Sequence, residues 1–346
     1  MLNLNKIKKK KYPFIIAEMS GNHNQDFTKA KKIIDAISKT GADAIKFQTF
    51  KPEGMTLKIN KKEFLIKEKT SLWKNSNLFD LYKKSSMKWE WQKKLFAYSK
   101  KKGLIPFSSP FHIEAVNFLE TINCPMYKIA SLENTYFQLI ESVIKTKKPF
   151  IISTGATKLN EINQIVKFIK KRGCKNFALL KCTSSYPSKF KYLNLDTIPE
   201  LIKKFDCVVG FSDHTIGTQA AEVAVSLGAK IIEKHVMLNK KEKSVDSGFS
   251  MTPSELKNYI DRIKNVIDIK GEKNIYLSKS EKYARTRKRS IYVSNQIEKN
   301  QRITIENIKI VRPGGGLESK FFERLLGKRV KKKLTIGTPL KLEYLK

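Results

Sequence analysis

The sequence predicts an α/β protein, a (β/α)8 TIM barrel followed by a small β-rich domain, and three observations carry that expectation. First, a Lys-rich amphipathic stretch that ends in glycine and runs into a short apolar strand recurs along the chain. It appears as KTGADAIKF (39–47), KKGLIPF (101–107), KRGCKNFALL (171–180) and SLGAKIIEKH (226–235). Second, eight apolar strand candidates lie between residues 14 and 234, the number and the spread that a closed barrel of ~250 residues needs. Third, the alternation stops near residue 270, where the composition changes.

The strand candidates are 14–18, 43–48, 104–108, 126–130, 149–153, 177–182, 207–211 and 230–234. Helical stretches separate most of them, at 28–39, 89–101, 112–121, 160–171 and 217–227. Glycine just past a helix supplies the left-handed residue that turns the chain back into the sheet. Strands that alternate with helices imply a parallel sheet. The barrel domain is expected over residues 1–270. GEKNIYLSKSEKYARTRKR (271–289) is polar and charged and reads as a linker. Residues 290–346 hold short strand-like pieces, SIYVS, RITI, NIKIVRPGGGL and KKKLTIGTPLKL, and seven of the nine arginines lie at or after Arg285. These residues are expected to form the second domain.

Composition bounds the function. No apolar run approaches the ~18 residues of a membrane span. The basic N-terminus leads into only four apolar residues, FIIA, too few for a signal peptide. A cytoplasmic protein with no membrane partner is expected. The four cysteines, Cys124, Cys174, Cys182 and Cys207, are far apart with no C-x-x-C, and read as reduced, buried thiols. The net charge of +37 could serve nucleic acid or anionic ligands. However, 60 of the 69 basic residues are lysine and none before Arg172 is arginine. Bidentate base readout favours arginine, so the dispersed lysines read as solvated faces and nucleic acid is not the expected partner.

Catalytic groups of such barrels stand at the C-terminal ends of the strands, and that rule collects a definite set. Strand 1 ends in Glu18. Strand 2 carries Lys46 and Gln48, two apart and so on one side. Strand 4 carries Lys128 and leads to Ser131 and Glu133. Strand 6 leads to Ser184 and Tyr186, strand 7 to Asp213 and His214, and strand 8 to His235. Neighbouring strands are about 4.8 Å apart, so the imidazoles of His214 and His235 can converge on one divalent ion. Two unrelated structural histidines is the alternative. Lys46 and Lys128 interrupt apolar strands, where burial is costly without an anion. With Ser131, Ser184 and Tyr186 they could clamp a phosphate or carboxylate. Alternatively they snorkel, or one forms a Schiff base with a ketone. STGAT (153–157) is a weaker signal. Asp213 could orient the neighbouring imidazole or cap the following helix. His112 reads as structural, and His23 as either structural or functional.

These motifs, in this order, resemble a known family. IAEMSGNHN, GADAIKFQT, FSSPF, YKIAS, IISTG, LLKCTSSYP, GFSDHTIG and GAKIIEKHV are similar to the ordered motifs of the sialic acid synthase family, over nearly the whole chain. IVRPGGGL and LLGKRV resemble the antifreeze-like (SAF, β-clip) domain that follows the barrel there. KIASLEN, SSPF, LKINKKEFLIK…LWKNSNLFDLY and EKHVMLNK…VDSGFS look like the branch that makes pseudaminic acid. The N-acetylneuraminate and legionaminate branches are the runners-up.

The resemblance implies a transferase that condenses phosphoenolpyruvate with an open-chain acetamido sugar, releasing phosphate. For this branch the sugar is 2,4-diacetamido-2,4,6-trideoxy-L-altrose. The resemblance also implies that His214 and His235 hold Mn2+ or Mg2+ and that Lys46, Lys128, Ser131, Ser184 and Tyr186 bind phosphoenolpyruvate. Glu18 and Glu133 would work at the reacting centre, Glu133 as a base for water. Gln48 and Asp246 would contact the sugar. Arg312 would reach the pocket of a partner subunit in a swapped homodimer. The chain departs from the family pattern at Ser184, where those enzymes carry Asn, at Lys181, where some carry His, and at Lys288 and Arg289.

Overall fold

The computed structural model describes residues 3–68 and 71–346. Eight parallel strands close on themselves in sequence order. They are β1 (Phe14–Glu18), β2 (Ala44–Thr49), β3 (Ile105–Pro110), β4 (Tyr127–Ile129), β5 (Phe150–Ser153), β6 (Phe177–Cys182), β7 (Val208–Asp213) and β8 (Ile231–His235). Pairing of Phe14 with Ile231 through to Glu18 with His235 closes the ring. The expected barrel is the observed one. Strands covered on both faces read as continuous apolar runs, and β1, β4, β5, β7 and β8 are buried at every position.

A left-handed residue stands at each turn from a helix into β2–β8. Gly41, Gly103, Gly173 and Gly228 have φ of 88°, 80°, 73° and 105°, as their place in the repeat predicts. The other three turns use Asn123, Lys147 and Asp206, at 54°, 57° and 44°. These side chains accept a conformation that costs an L-residue about 1–2 kcal/mol.

Two features of the barrel position the site. Residues 50–68 and 71–88 leave the barrel between β2 and the helix Trp89–Lys101 and contain a further short helix, Leu78–Ser85. Beyond β8 the chain loops out and returns, so that Met251 N donates to the carbonyl of His235 and Met237 N to that of Met251. The loop between these contacts carries Asp246 and Phe249.

A second compact unit begins at Glu272. Its core comprises Ile291, Val293, Ile297, Ile303, Ile308, Leu325, Val330, Leu334, Leu340 and Leu345, around the antiparallel pair β9 (Ser290–Val293) and β10 (Ile308–Val311). The polar segment read as a linker holds a helix, Lys279–Arg285, with a capping box between Ser278 and Glu281. Among the described residues no helix is long and apolar enough to cross a membrane.

Candidate active site

Charged residues on fully buried staves are the exceptions that locate the site. Glu18, Lys46, Lys128 and Glu233 are each no more than 4% exposed. Lys128 Nζ donates to both oxygens of Glu233, at 2.8 and 2.9 Å. Lys46 Nζ lies 2.7 Å from Glu18 and 3.5 Å from Glu233, and donates to Ser109 Oγ at 3.2 Å. Ser212 Oγ adds a bond to Glu233 at 3.0 Å. Burial alone would raise the Glu233 carboxyl, but Lys128 and Lys46 outweigh it and hold the group well below the usual carboxylate range. Burial pushes Glu18 up to about 7 against the pull of Lys46.

Glu233 is a site residue that sequence reasoning missed. It supplies the internal counter-ion that makes two buried lysines tolerable. The available signal was its spacing: Glu233 and His235 are two apart on one strand and face the same side.

The same alternation sends Asp213 and Lys234 to the other face. They are register partners on β7 and β8, each 0% exposed, with Lys234 Nζ 3.1 Å from Asp213 Oδ2. Asp213 also accepts from Thr215 N, Thr215 Oγ1 and Tyr259 OH at 2.8, 2.7 and 2.8 Å. Neither expectation for Asp213 holds. It does not bond the imidazole of His214, and the helix Gln219–Ser226 is entered from Thr218 without a side-chain cap. Asp213 fixes the turn after β7 instead.

His214 and His235 converge, with ring centroids 5.3 Å apart. Nδ1 of His214 faces the Thr183 carbonyl at 3.2 Å. A carbonyl only accepts, so that nitrogen carries the hydrogen and Nε2 keeps the lone pair. His235 Nδ1 is buried without a hydrogen-bond partner and stands 3.9 Å from Asp246 Oδ2. Burial, then the facing His214, holds His235 well below the ordinary histidine value and therefore neutral. For His214 burial acts downward, but Cys182 and the Thr183 carbonyl raise it. Among the described residues no group of three or more His, Cys, Asp and Glu side chains is arranged to hold a metal. The imidazole pair therefore fits only an open site, with most positions left to water and substrate.

The predicted serine hydroxyls gather around Gly155. Ser131 Oγ accepts from Gly155 N at 3.1 Å, while Ser153 Oγ and Ser184 Oγ are buried without partners. A Cβ on Gly155 would meet Ser184 Oγ at 2.2 Å and Ser131 Oγ at 2.7 Å. The glycine of STGAT thus keeps open a cradle of serine hydroxyls, donors suited to an oxyanion. Gly155→Ala is expected to raise KM for an anionic substrate roughly tenfold, as one donor geometry is lost; steady-state kinetics with a parallel thermal melt checks it.

The remaining predicted residues line one cavity of about 370 Å³ with Lys46 and Lys128, except one; Glu18 is not among its lining residues. Gln48 Nε2 donates to Ser20 Oγ at 2.9 Å, and that hydroxyl donates to Asp246. Glu133 is half-buried, and burial pushes it up to about 7. Tyr186 packs 4.5 Å from His214, 5.2 Å from Phe249 and 5.5 Å from Trp73. Arg312 is the exception: it belongs to the second unit and is exposed. Cys182, read as a structural thiol, also lines the cavity, 3.8 Å from His214 Nδ1. Burial opposes ionisation of this thiol, but His214, Ser131 and Lys128 bring it down to about 7. His23 accepts from Gln25 N at 2.9 Å and His112 from Lys51 N at 3.2 Å, and neither lines the cavity.

These groups define a (β/α)8-barrel protein with two buried lysines and an imidazole pair at the C-terminal ends of its strands. The chain belongs to the NeuB family, whose profile matches residues 33–275, and a SAF domain match covers residues 288–346. It is 40% identical over 329 residues to a pseudaminic acid synthase of Helicobacter pylori, covering 95% of this chain and 96% of that one. An N,N'-diacetyllegionaminic acid synthase of Campylobacter jejuni is 33% identical, with 92% and 96% covered. Among solved structures, an N-acetylneuraminic acid synthetase from Leptospira borgpetersenii in complex with citrate superposes with a TM-score of 0.70 at 29% identity. That match covers 79% of this chain and 90% of that one.

Proposed function

We propose that the chain condenses phosphoenolpyruvate with the open-chain aldehyde of 2,4-diacetamido-2,4,6-trideoxy-L-altrose, giving pseudaminic acid and phosphate. The observation that carries this reading is the 40% identity to the H. pylori pseudaminic acid synthase over 95% of the chain. The legionaminic acid synthases, at 33% and 31%, stand further off. The Schiff-base alternative is disfavoured because both lysines are engaged by carboxylates, and an ammonium so held is a poor nucleophile.

In this reading Lys46 and Lys128 anchor phosphoenolpyruvate with the hydroxyls of Ser131 and Ser184 and the ring of Tyr186. An ammonium has three donors, so each lysine can hold an anion and keep a carboxylate partner. C3 of the enol ester bonds to the sugar aldehyde carbon while water adds at C2. The proton from that water passes to Glu133. Loss of phosphate breaks the C2–O bond; the hydroxyl left on C2 gives its proton to the departing phosphate and becomes the ketone, while the alkoxide from the aldehyde takes up the proton held by Glu133. Glu18 balances the charge of Lys46, and Gln48 and Asp246 orient the sugar. Held by His214 and His235, Mn2+ or Mg2+ would polarise the aldehyde oxygen. Arg312 serves the pocket of a partner subunit in a homodimer. Arg312→Ala should therefore cost roughly 10²-fold in kcat/KM for the sugar with KM for phosphoenolpyruvate unchanged, measured by steady-state kinetics.

The base role gives a pH dependence. Glu133 is neutral below about pH 7 and cannot then accept a proton. The sign follows: kcat rises with pH through about 7 and levels off above it. Glu133→Gln should remove that limb and lower kcat roughly 10²–10⁴-fold, read from a pH–rate profile.

The test of the function is incubation with phosphoenolpyruvate, Mn2+ and a panel of acetamido sugars, following phosphate and identifying products by mass and NMR. Preferred turnover of the L-altro sugar is expected. Preference for N-acetylmannosamine or the legionaminate precursor would overturn the assignment.

A further inference from the structure

We infer that the helix Leu78–Ser85 and its flanking segment read the far end of the sugar, selecting a sugar that ends in a methyl group with neither hydroxyl nor phosphate on C6. This rests on the proposed reaction. Leu78, Leu81, Tyr82 and Ser85 fall at i, i+3, i+4 and i+7, one face of a helix, and all four line the cavity. Phe79 points the other way and is buried. The leucines are half-buried, so the apolar surface they leave uncovered faces the cavity. Met55 and Ile66 extend this wall. A short helix with one apolar side packed inward and a second turned to an open cavity has a stripe left for a ligand.

The floor fixes which end of the sugar meets that stripe. The reacting aldehyde carbon must lie beside the enol ester, among Lys46, Lys128 and the imidazoles at the strand ends. The other end of the sugar, C6, then points outward, where the helix stands. Among the described lining residues the lysines are Lys46 and Lys128, with no arginine, and both lysines already serve carboxylates at the floor. Glu68, at the outer wall, carries the wrong sign for a phosphate. Nothing described there matches a second phosphate on the sugar, and the part of the wall formed by Met55, Ile66, Leu78 and Leu81 disfavours a hydroxyl by the modest margin that apolar walls achieve. Ile66, Leu78, Leu81 and Tyr82 also lie within the stretch LKINKKEFLIK…LWKNSNLFDLY, one of those that singled out this branch.

The experiment compares the 2,4-diacetamido-2,4,6-trideoxy sugar with its 6-hydroxy counterpart in the full chain, together with N-acetylmannosamine 6-phosphate. Wild type should prefer the deoxy sugar roughly 10- to 100-fold in kcat/KM and reject the phosphate. Leu81→Asn should lower kcat/KM for the deoxy sugar about tenfold and leave that for the 6-hydroxy sugar within twofold. KM for phosphoenolpyruvate should hold. Leu81→Met, of similar volume, should restore the preference, which separates recognition from loss of fold. Equal turnover of both sugars by wild type, or an equal fall for both in Leu81→Asn, would overturn the inference. Wild type inactive on every acetamido sugar would instead sink the proposed reaction, and the inference with it.

Discussion

Replacing Lys128 with alanine is expected to lower kcat/KM for phosphoenolpyruvate roughly 10³-fold and to destabilise the fold by about 3 kcal/mol. Both effects have one cause. Lys128 is 1% exposed and satisfies both oxygens of Glu233. Without it a buried carboxylate keeps only Ser212 and the more distant Lys46, which places the cost at the low end of the usual range. Glu233 is depressed in the folded protein, so its contribution to stability is present above the unfolded carboxylate value, ~4.3, and is lost as pH falls toward the folded value. Lys128→Ala should flatten that acid limb. The double variant Lys128→Met, Glu233→Gln removes both charges together and should recover most of the stability without the activity. Urea denaturation between pH 3 and 7, beside steady-state kinetics, reads both effects.

His235→Ala is expected to abolish measurable turnover, a fall of roughly 10³-fold or more, with little change in stability. Its Nδ1 is buried and makes no hydrogen bond, so truncation leaves no broken network behind. His214 differs, because its Nδ1 is engaged by the Thr183 carbonyl; changing it should cost stability as well. Wild type treated with EDTA should match His235→Ala, and Mn2+ should restore the wild type alone. Phosphate release with and without added metal makes the comparison. Full activity of His235→Ala would remove the imidazole pair from the mechanism.

The barrel was legible because fully covered strands cannot hide their apolar runs. Four of the seven returning turns announced themselves through glycine. Asn123, Lys147 and Asp206 did not, since a left-handed lysine looks like any other lysine in a sequence. The excursion at 50–68 and 71–88 was opaque for a related reason: its helix Leu78–Ser85 is short and turns much of its apolar surface to a cavity rather than to the core.

In the site, the strand-end rule found the lysines, the histidines and Glu18, which pairs with Lys46, but not Glu233, which neutralises Lys128. Period-two reading from His235 would have reached Glu233 and would have turned Asp213 away. The cradle around Gly155 joins β5 to the residues after β4 and β6, and no local pattern encodes such a convergence. Cys182 looked like an ordinary core thiol because its neighbour His214 comes from another strand.

The proposed reaction needs an enol ester, an acetamido sugar and a divalent ion to meet in one pocket. The most direct measurement is phosphate release from phosphoenolpyruvate by metal-stripped protein, with sugar and Mn2+ added singly and together. Release only when both are present is the predicted result. Release without the sugar, or undiminished in EDTA, would contradict it.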